Sequence, residues 1–376
     1  MNKIKPILFV SRSSPNESAG TPIILRRLLE NFSRNEVVVL ARKAKKERTL
    51  EKNFNYTVVE TFAPEIKGRK VIALVTGLFT GLWTINKYKP RVLVAIYPDD
   101  GSLLLGYLLH RLTGLPIFTY FCDLYLENKV GIELRVAKWL QRKVFERAKG
   151  IMVLNLGMHQ FFFDRYGIKA SLITNAINRP IPVSIDLPEI KDKIIIGFSG
   201  NVSRDRVQPF RELVKLISRR SDIELRFFVP HDLNYLLKLD LWLEGSYLRF
   251  CKNEDELMHE LEQCHLLYLP LTFEVGEDSV EQLATCFGTK AFEYILACRP
   301  ILVHCPKDYF TYQFFSNAGS ALLVNQLDAI SLEIEIDRFM ANYNEWGKEV
   351  VKRALNQVIK FKGPNVRDNF LKALEQ

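Results

Sequence analysis

The feature that most constrains this chain is a pattern that occurs twice. Residues 7–10, Ile-Leu-Phe-Val, form a short continuous apolar run, followed by a loop ending in Gly20-Thr21-Pro22 and then by helix-forming residues through Phe32. A buried strand, a glycine-containing loop and a helix with Thr21 as N-cap and Pro22 in its first position open a Rossmann-like unit. The pattern restarts at residues 193–197, passes through Ser199-Gly200-Asn201-Val202-Ser203-Arg204-Asp205-Arg206, and enters a helix from Pro209. Between the two, residues 179–192 carry prolines at 180, 182 and 188 and no helical or strand period of any length, which marks a joint. Strands and helices alternate through both halves. The expected architecture is therefore α/β, two Rossmann-like domains facing across a cleft, residues 1–180 and 181–376.

The glycine loops point toward phosphate chemistry. Neither reads GxGxxG, which argues against a Rossmann oxidoreductase. Gly200 lets backbone approach a phosphate, and Arg204 and Arg206 add positive charge beside it. The densest signal lies later, in Phe287-Gly288-Thr289-Lys290-Ala291-Phe292-Glu293-Tyr294-Ile295-Leu296-Ala297-Cys298-Arg299-Pro300. Gly288 and Thr289 read as loop and N-cap, and Ala291, Phe292, Ile295 and Leu296 make a helical apolar face. Arg299-Pro300 stops the helix before a short strand at 301–303. Lys290 and Glu293 fall near the first turn, where backbone N–H groups favour a phosphate or a sugar hydroxyl. From these residues alone, a capped helix with a solvated lysine and glutamate is the other reading.

That stretch resembles the nucleotide-sugar site of the GT-B glycosyltransferases of the retaining family-4 type. Many of those read Phe-Pro-Thr-Lys-Leu-Phe-Glu-Tyr-Leu-Ala-Ala-Gly-Arg-Pro here, so Gly288 replaces a proline and Cys298 a glycine. The resemblance implies that Glu293 accepts hydrogen bonds from the two donor ribose hydroxyls, with Thr289 and Lys290 in the same donor-binding turn. A second family glutamate, which touches the donor sugar, has Thr285 in its place. The family grips the diphosphate with an arginine after the loop glycine and a lysine further on. Asn201 and Val207 hold those positions, which leaves Arg206 or Arg204 for the task. The Gly20 loop is implied to face the cleft, near donor phosphates or acceptor. Asp123, in Cys122-Asp123-Leu124-Tyr125-Leu126-Glu127-Asn128, matches the aspartate of Arg-Asp-Leu-Trp-Pro-Glu-Ser. Its implied role is to orient the acceptor hydroxyl; a helix N-cap is the plain alternative. The similarity covers most of the chain, strongest at 285–303, moderate at 193–206 and 116–128, and weak before residue 90.

The resemblance implies transfer of a sugar from a nucleotide diphosphate-sugar to a hydroxyl of a sugar or lipid-linked acceptor, in cell-surface polysaccharide or glycolipid synthesis. It implies retention of anomeric configuration, Asp123 and Arg206 as the catalytic residues, and neither cofactor nor bound metal. The last helix, within 346–361 or 366–374, is expected to pack back on the first domain. Two other readings stay open: a silent GT-B module in a polysaccharide assembly complex, favoured by Asn201 and Thr285, and a GT-B sugar-nucleotide epimerase.

Charge adds a further constraint. The net charge is +9, which suits an anionic partner, yet no zinc-finger spacing, RNP pattern or basic zipper accompanies it, so nucleic acid is not expected. Residues 133–149 alternate Arg135, Lys138, Arg142, Lys143, Arg147 and Lys149 with Val136, Trp139, Leu140, Val144 and Phe145. Such a basic amphipathic helix fits an anionic lipid surface, a lipid-diphosphate acceptor or a merely solvated face. The most apolar helix, 71–83, is shorter than the roughly 20 residues that span a bilayer. It reads as a core helix, because apolar residues cover more than one face, with docking on a membrane as the alternative. Of six cysteines, none in CxxC spacing, several fall in apolar runs and read as buried thiols, and Cys264-His265 and His304-Cys305 read as core pairs rather than metal ligands. With the N-terminus running directly into a strand, the expected location is cytoplasmic, with a peripheral position at the inner face of the membrane.

Overall fold

A computed structural model describes residues 5–17, 20–43, 54–61, 70–202, 206–274 and 279–375. The chain divides into two compact units: Met1–Asn178 together with Lys360–Gln376, and Arg179–Ile359.

The first unit runs β1 (Ile7–Val10), α1 (Thr21–Leu29), β2 (Val37–Arg42), β3 (Thr57–Thr61), α2 (Lys70–Tyr88), β4 (Val92–Tyr97), α3 (Asp100–Thr113), β5 (Ile117–Phe121), α4 (Gly131–Arg147), β6 (Gly150–Val153), α5 (Leu156–Tyr166) and β7 (Ser171–Leu172). Its strands pair in parallel in the order β3-β2-β1-β4-β5-β6-β7. Every residue of β1, β4 and β5 is buried, as expected for central parallel strands covered on both faces.

The second unit runs β8 (Ile194–Ser199), α6 (Val207–Ile217), β9 (Ile223–Phe228), α7 (Leu233–Lys238), β10 (Tyr247–Arg249), α8 (Glu254–Glu262), β11 (Leu266–Pro270), α9 (Val280–Thr285), α10 (Thr289–Leu296), β12 (Ile301–His304), α11 (Phe310–Ser316), β13 (Leu322–Val324), α12 (Ala329–Met340) and α13 (Tyr343–Val358). Its parallel sheet has the order β10-β9-β8-β11-β12-β13. Strand order reverses between β1 and β4 in one sheet and between β8 and β11 in the other. At such a point neighbouring loops diverge to opposite faces and leave a crevice beyond the strand ends.

The final helix, α14 (Gly363–Ala373), belongs to the first unit. Phe370 stacks on Phe9 of β1 at 5.5 Å and meets Phe32 edge-on at 5.9 Å. Arg367 pairs with Glu36 at 2.9 Å.

Helix α2 departs from the core-helix expectation. Only one side packs inward: Gly77 and Gly81 sit so close to α3 that a Cβ on Gly81 would lie 2.8 Å from Leu109. The opposite side leaves Ile72, Val75, Phe79 and Trp83 exposed. Among the described residues, no helix is long and apolar enough to cross a membrane.

The two Cys-His pairs are structural. His304 bridges the Tyr268 hydroxyl (2.7 Å) and the Gln326 carbonyl (2.8 Å), and His265 accepts from the Ile195 N–H at 2.8 Å. Among the described residues no group of His, Cys, Asp or Glu is placed to hold a metal ion.

Candidate functional site

In the second unit, the site begins where β8 ends. Gly200 has φ 87°, which L side chains rarely adopt, and its N–H donates to Phe228 O of the neighbouring strand at 2.9 Å. The missing side chain also makes room. A Cβ there would lie 2.5 Å from Cε and 2.9 Å from Nζ of Lys290. Lys290 thus lies across the glycine, its ammonium 4.2 Å from the ring centre of Phe198 on β8. A second link holds the same two elements: the Ser199 N–H donates to the Tyr294 hydroxyl of α10 at 2.9 Å. Tyr294 is fully buried, and burial raises its pKa, so it stays protonated.

Helix α10 is capped by Gly288, not by Thr289, and without a side-chain hydrogen bond; Thr289 is the first helical residue. Upstream, Phe287 anchors the turn against Phe292, Phe310 and Phe314, with ring centres at 5.4, 5.6 and 4.6 Å. Downstream, Cys298 has φ 54°, the left-handed position that follows many helices and favours glycine. That geometry accounts for the glycine found there in the sequences this stretch resembles. Arg299 then fixes the end of the helix, donating to the carbonyls of Glu262 and Asp186, each at 2.9 Å. Glu293 follows Lys290 by one turn and is partly exposed.

Arg206 caps α6, and its Nε is buried with no hydrogen-bond partner among the described residues. Arg204 lies outside the described residues. Asn201 accepts from His231 Nε2 at 2.5 Å, and His231 stacks on Tyr235 with ring centres 4.0 Å apart. The Tyr235 hydroxyl donates to Val202 O at 2.9 Å, so the loop is braced from the β9–α7 turn. Sequence reasoning missed His231, Tyr235 and Tyr294. Only Tyr294 left a signal, as a buried polar tip inside an apolar helix face. Thr285, at the position of the second family glutamate, turns its hydroxyl back to Glu281 O at 2.9 Å.

In the first unit, Gly20 has φ 54° and caps α1, one residue earlier than expected. Arg26 of that helix braces the preceding loop, donating to Glu17 O at 3.0 Å. Asp123 follows β5 in a loop and is no N-cap, since α4 starts at Gly131 behind Val130. It stands with Asp99 and Asp100 around Tyr97, whose pKa is raised by burial first and by these carboxylates next. Burial, then Asp123, also raises the Cys122 thiol. Tyr97 and Tyr125, both buried, pack with ring centres 4.8 Å apart. Carboxylates at the C-terminal edge of a sheet suit the hydroxyls of a sugar.

Structural comparison places this architecture among known enzymes. The chain is similar to sucrose-phosphate synthase from Thermosynechococcus elongatus (TM-score 0.74, 16% identity, 99% of this chain and 98% of that one). It is also similar to HepE of Anabaena, in a structure with UDP-glucose (TM-score 0.72, 14% identity, 98% and 99% of the two chains). A more distant likeness is to a putative UDP-N-acetylglucosamine 2-epimerase from Listeria monocytogenes (TM-score 0.58, 13% identity, 100% and 96%). No family model and no curated protein matches the sequence. The chain has the GT-B fold.

Proposed function

We propose that this protein is a retaining glycosyltransferase that moves a sugar from a nucleotide diphosphate-sugar to an acceptor hydroxyl, in cell-surface polysaccharide or glycolipid synthesis. The observation that carries the reading is Lys290 lying on Gly200, which brings a cation and a helix N-terminus to a glycine loop at the point where strand order reverses. Breaking the donor's glycosidic bond leaves charge on a diphosphate. Lys290, Arg206 and the positive end of α10 are suited to stabilise it. Arg204 and Asn201 complete the second unit's donor-binding set in this reading. HepE is described with UDP-glucose, so a UDP-sugar is the first donor to test.

In the proposed division of labour the second unit holds the donor, with Glu293 and Thr289 at its ribose. The first unit holds a sugar or lipid-linked acceptor, with Asp123 orienting its hydroxyl. The protein is proposed to be cytoplasmic and to touch an anionic membrane peripherally. A silent module is the second reading, favoured by Thr285, whose hydroxyl is taken up by its own helix.

Glu293 decides between these readings and a plain helix. An ionised carboxylate accepts from two neighbouring hydroxyls, so Glu293→Gln should weaken UDP binding by about 1.5–3 kcal/mol. The 2′-deoxy analogue should bind the wild type more weakly and lose less on the same substitution. Unchanged UDP affinity in calorimetry would return the stretch to a solvated helix. UDP binding with neither transfer nor hydrolysis of any donor would favour the silent module.

A further inference from the structure

We infer that the outer faces of α2 and α4 form one docking surface for a bilayer containing anionic phospholipid. The inference rests on the membrane contact in the function proposed above and gives it an address. On α2, Ile72, Val75, Phe79 and Trp83 fall within an arc of about 80° at 3.6 residues per turn. Phe79 is 71% and Trp83 52% exposed. The opposite side of the helix is closed against α3 by Gly77 and Gly81, so rotation about its axis cannot bury this stripe. Helix α4 flanks α3 on its other side, where Trp139 meets Tyr107 of α3 edge-on at 6.3 Å. Ile132, Val136 and Trp139 are exposed on the side of α4 turned to α3, and the exposed Arg135, Lys138 and Arg142 occupy the adjoining arc.

Charge selects the occupant. Helix α2 has no acidic residue, and Lys87 lies 4.6 Å over the Trp83 ring. The acids of α4 are Glu133 and Glu146, and Glu146 is already paired with Lys143 at 3.0 Å. An aromatic-aliphatic stripe bordered by cations matches the acyl boundary and the anionic headgroups of one leaflet. A second copy of the chain fits poorly, because a two-fold contact through this face would set Arg135, Lys138 and Arg142 near their own equivalents.

The test is flotation of the full-length protein with phosphatidylcholine vesicles, with and without phosphatidylglycerol, at low and high salt. Wild type should float with anionic vesicles and be released by salt. Phe79→Ser with Trp83→Ser should lower the partition coefficient about tenfold or more. Arg135→Gln, Lys138→Gln and Arg142→Gln together should abolish the preference for anionic lipid. All these positions are exposed, so Tm and the thermal shift with UDP should match wild type in both variants. A double-serine variant that floats like wild type overturns the surface while leaving membrane contact in place. Wild type that ignores anionic vesicles removes both, and the UDP shift decides separately whether the transferase reading stands. Concentration-dependent dimers lost in the double-serine variant, without flotation, would make the face a contact between copies.

Discussion

At the scale of single residues, Gly200 carries two separable requirements. Its φ of 87° penalises any L side chain, and the space above it is filled by the far end of Lys290. A lysine tip can move aside, so the clash should be relieved by displacement, whereas the backbone strain cannot. Gly200→Ala should therefore lower stability by about 1–2 kcal/mol, the left-handed penalty, in urea unfolding. It should also weaken UDP binding by displacing the ammonium. In a Lys290→Ala background the stability loss should persist while the further loss of affinity shrinks. Full additivity in calorimetry would mean that Lys290 does not act through its position on the glycine.

At the scale of elements, α14 shows how a segment remote in sequence completes a sheet layer. Phe370 is fully buried between Phe9 and Phe32, and Gly363 turns the chain where a Cβ would lie 2.2 Å from the Asn31 side chain. Phe370→Ala should cost about 3–5 kcal/mol, the usual range for a buried aromatic. Hydrogen exchange should accelerate in β1 and α1 and stay unchanged in β8 and β9, because the loss falls on one unit's core. Equal acceleration in both units would sink that assignment. Helix α10 is seated by the same kind of remote partner, with Arg299 holding the carbonyls of Glu262 and Asp186.

At the scale of the whole molecule, buried histidines make stability fall on the acid side. Burial pushes the pKa of His304 down to about 4 from 6.5, and lowers that of His265 as well. A depressed histidine pKa means that the unfolded chain takes up a proton which the folded chain refuses. The stabilisation is complete above about pH 6.5 and is lost as pH falls toward 4, at about 1.4 kcal/mol per pH unit for His304 alone. Urea midpoints should drop between pH 7 and pH 5, and His304→Gln should flatten that slope. A midpoint flat across this range in wild type would show that His304 is charged in the folded state.

Sequence alone determined the features that neighbouring residues dictate. The apolar runs of β1, β4 and β8, the two glycine loops and the helix read at 290–297 with its stop at Arg299-Pro300 were all legible. Each rests on side-chain periodicity or on the φ limits of glycine and proline, which act within a few residues. Tertiary structure decided the rest. That Lys290 lies on Gly200, that His231 holds Asn201, and that Asp123 sits in a loop beside Tyr97 rather than capping a helix all depend on elements brought together from distant parts of the chain. The two faces of α2 make the same point: its sequence is apolar nearly all round, and only the packing of Gly77 and Gly81 on α3 selects which side is buried. Periodicity reports that an apolar surface exists. Which surface covers it is settled by close packing between segments far apart in sequence, and that information resides in the fold.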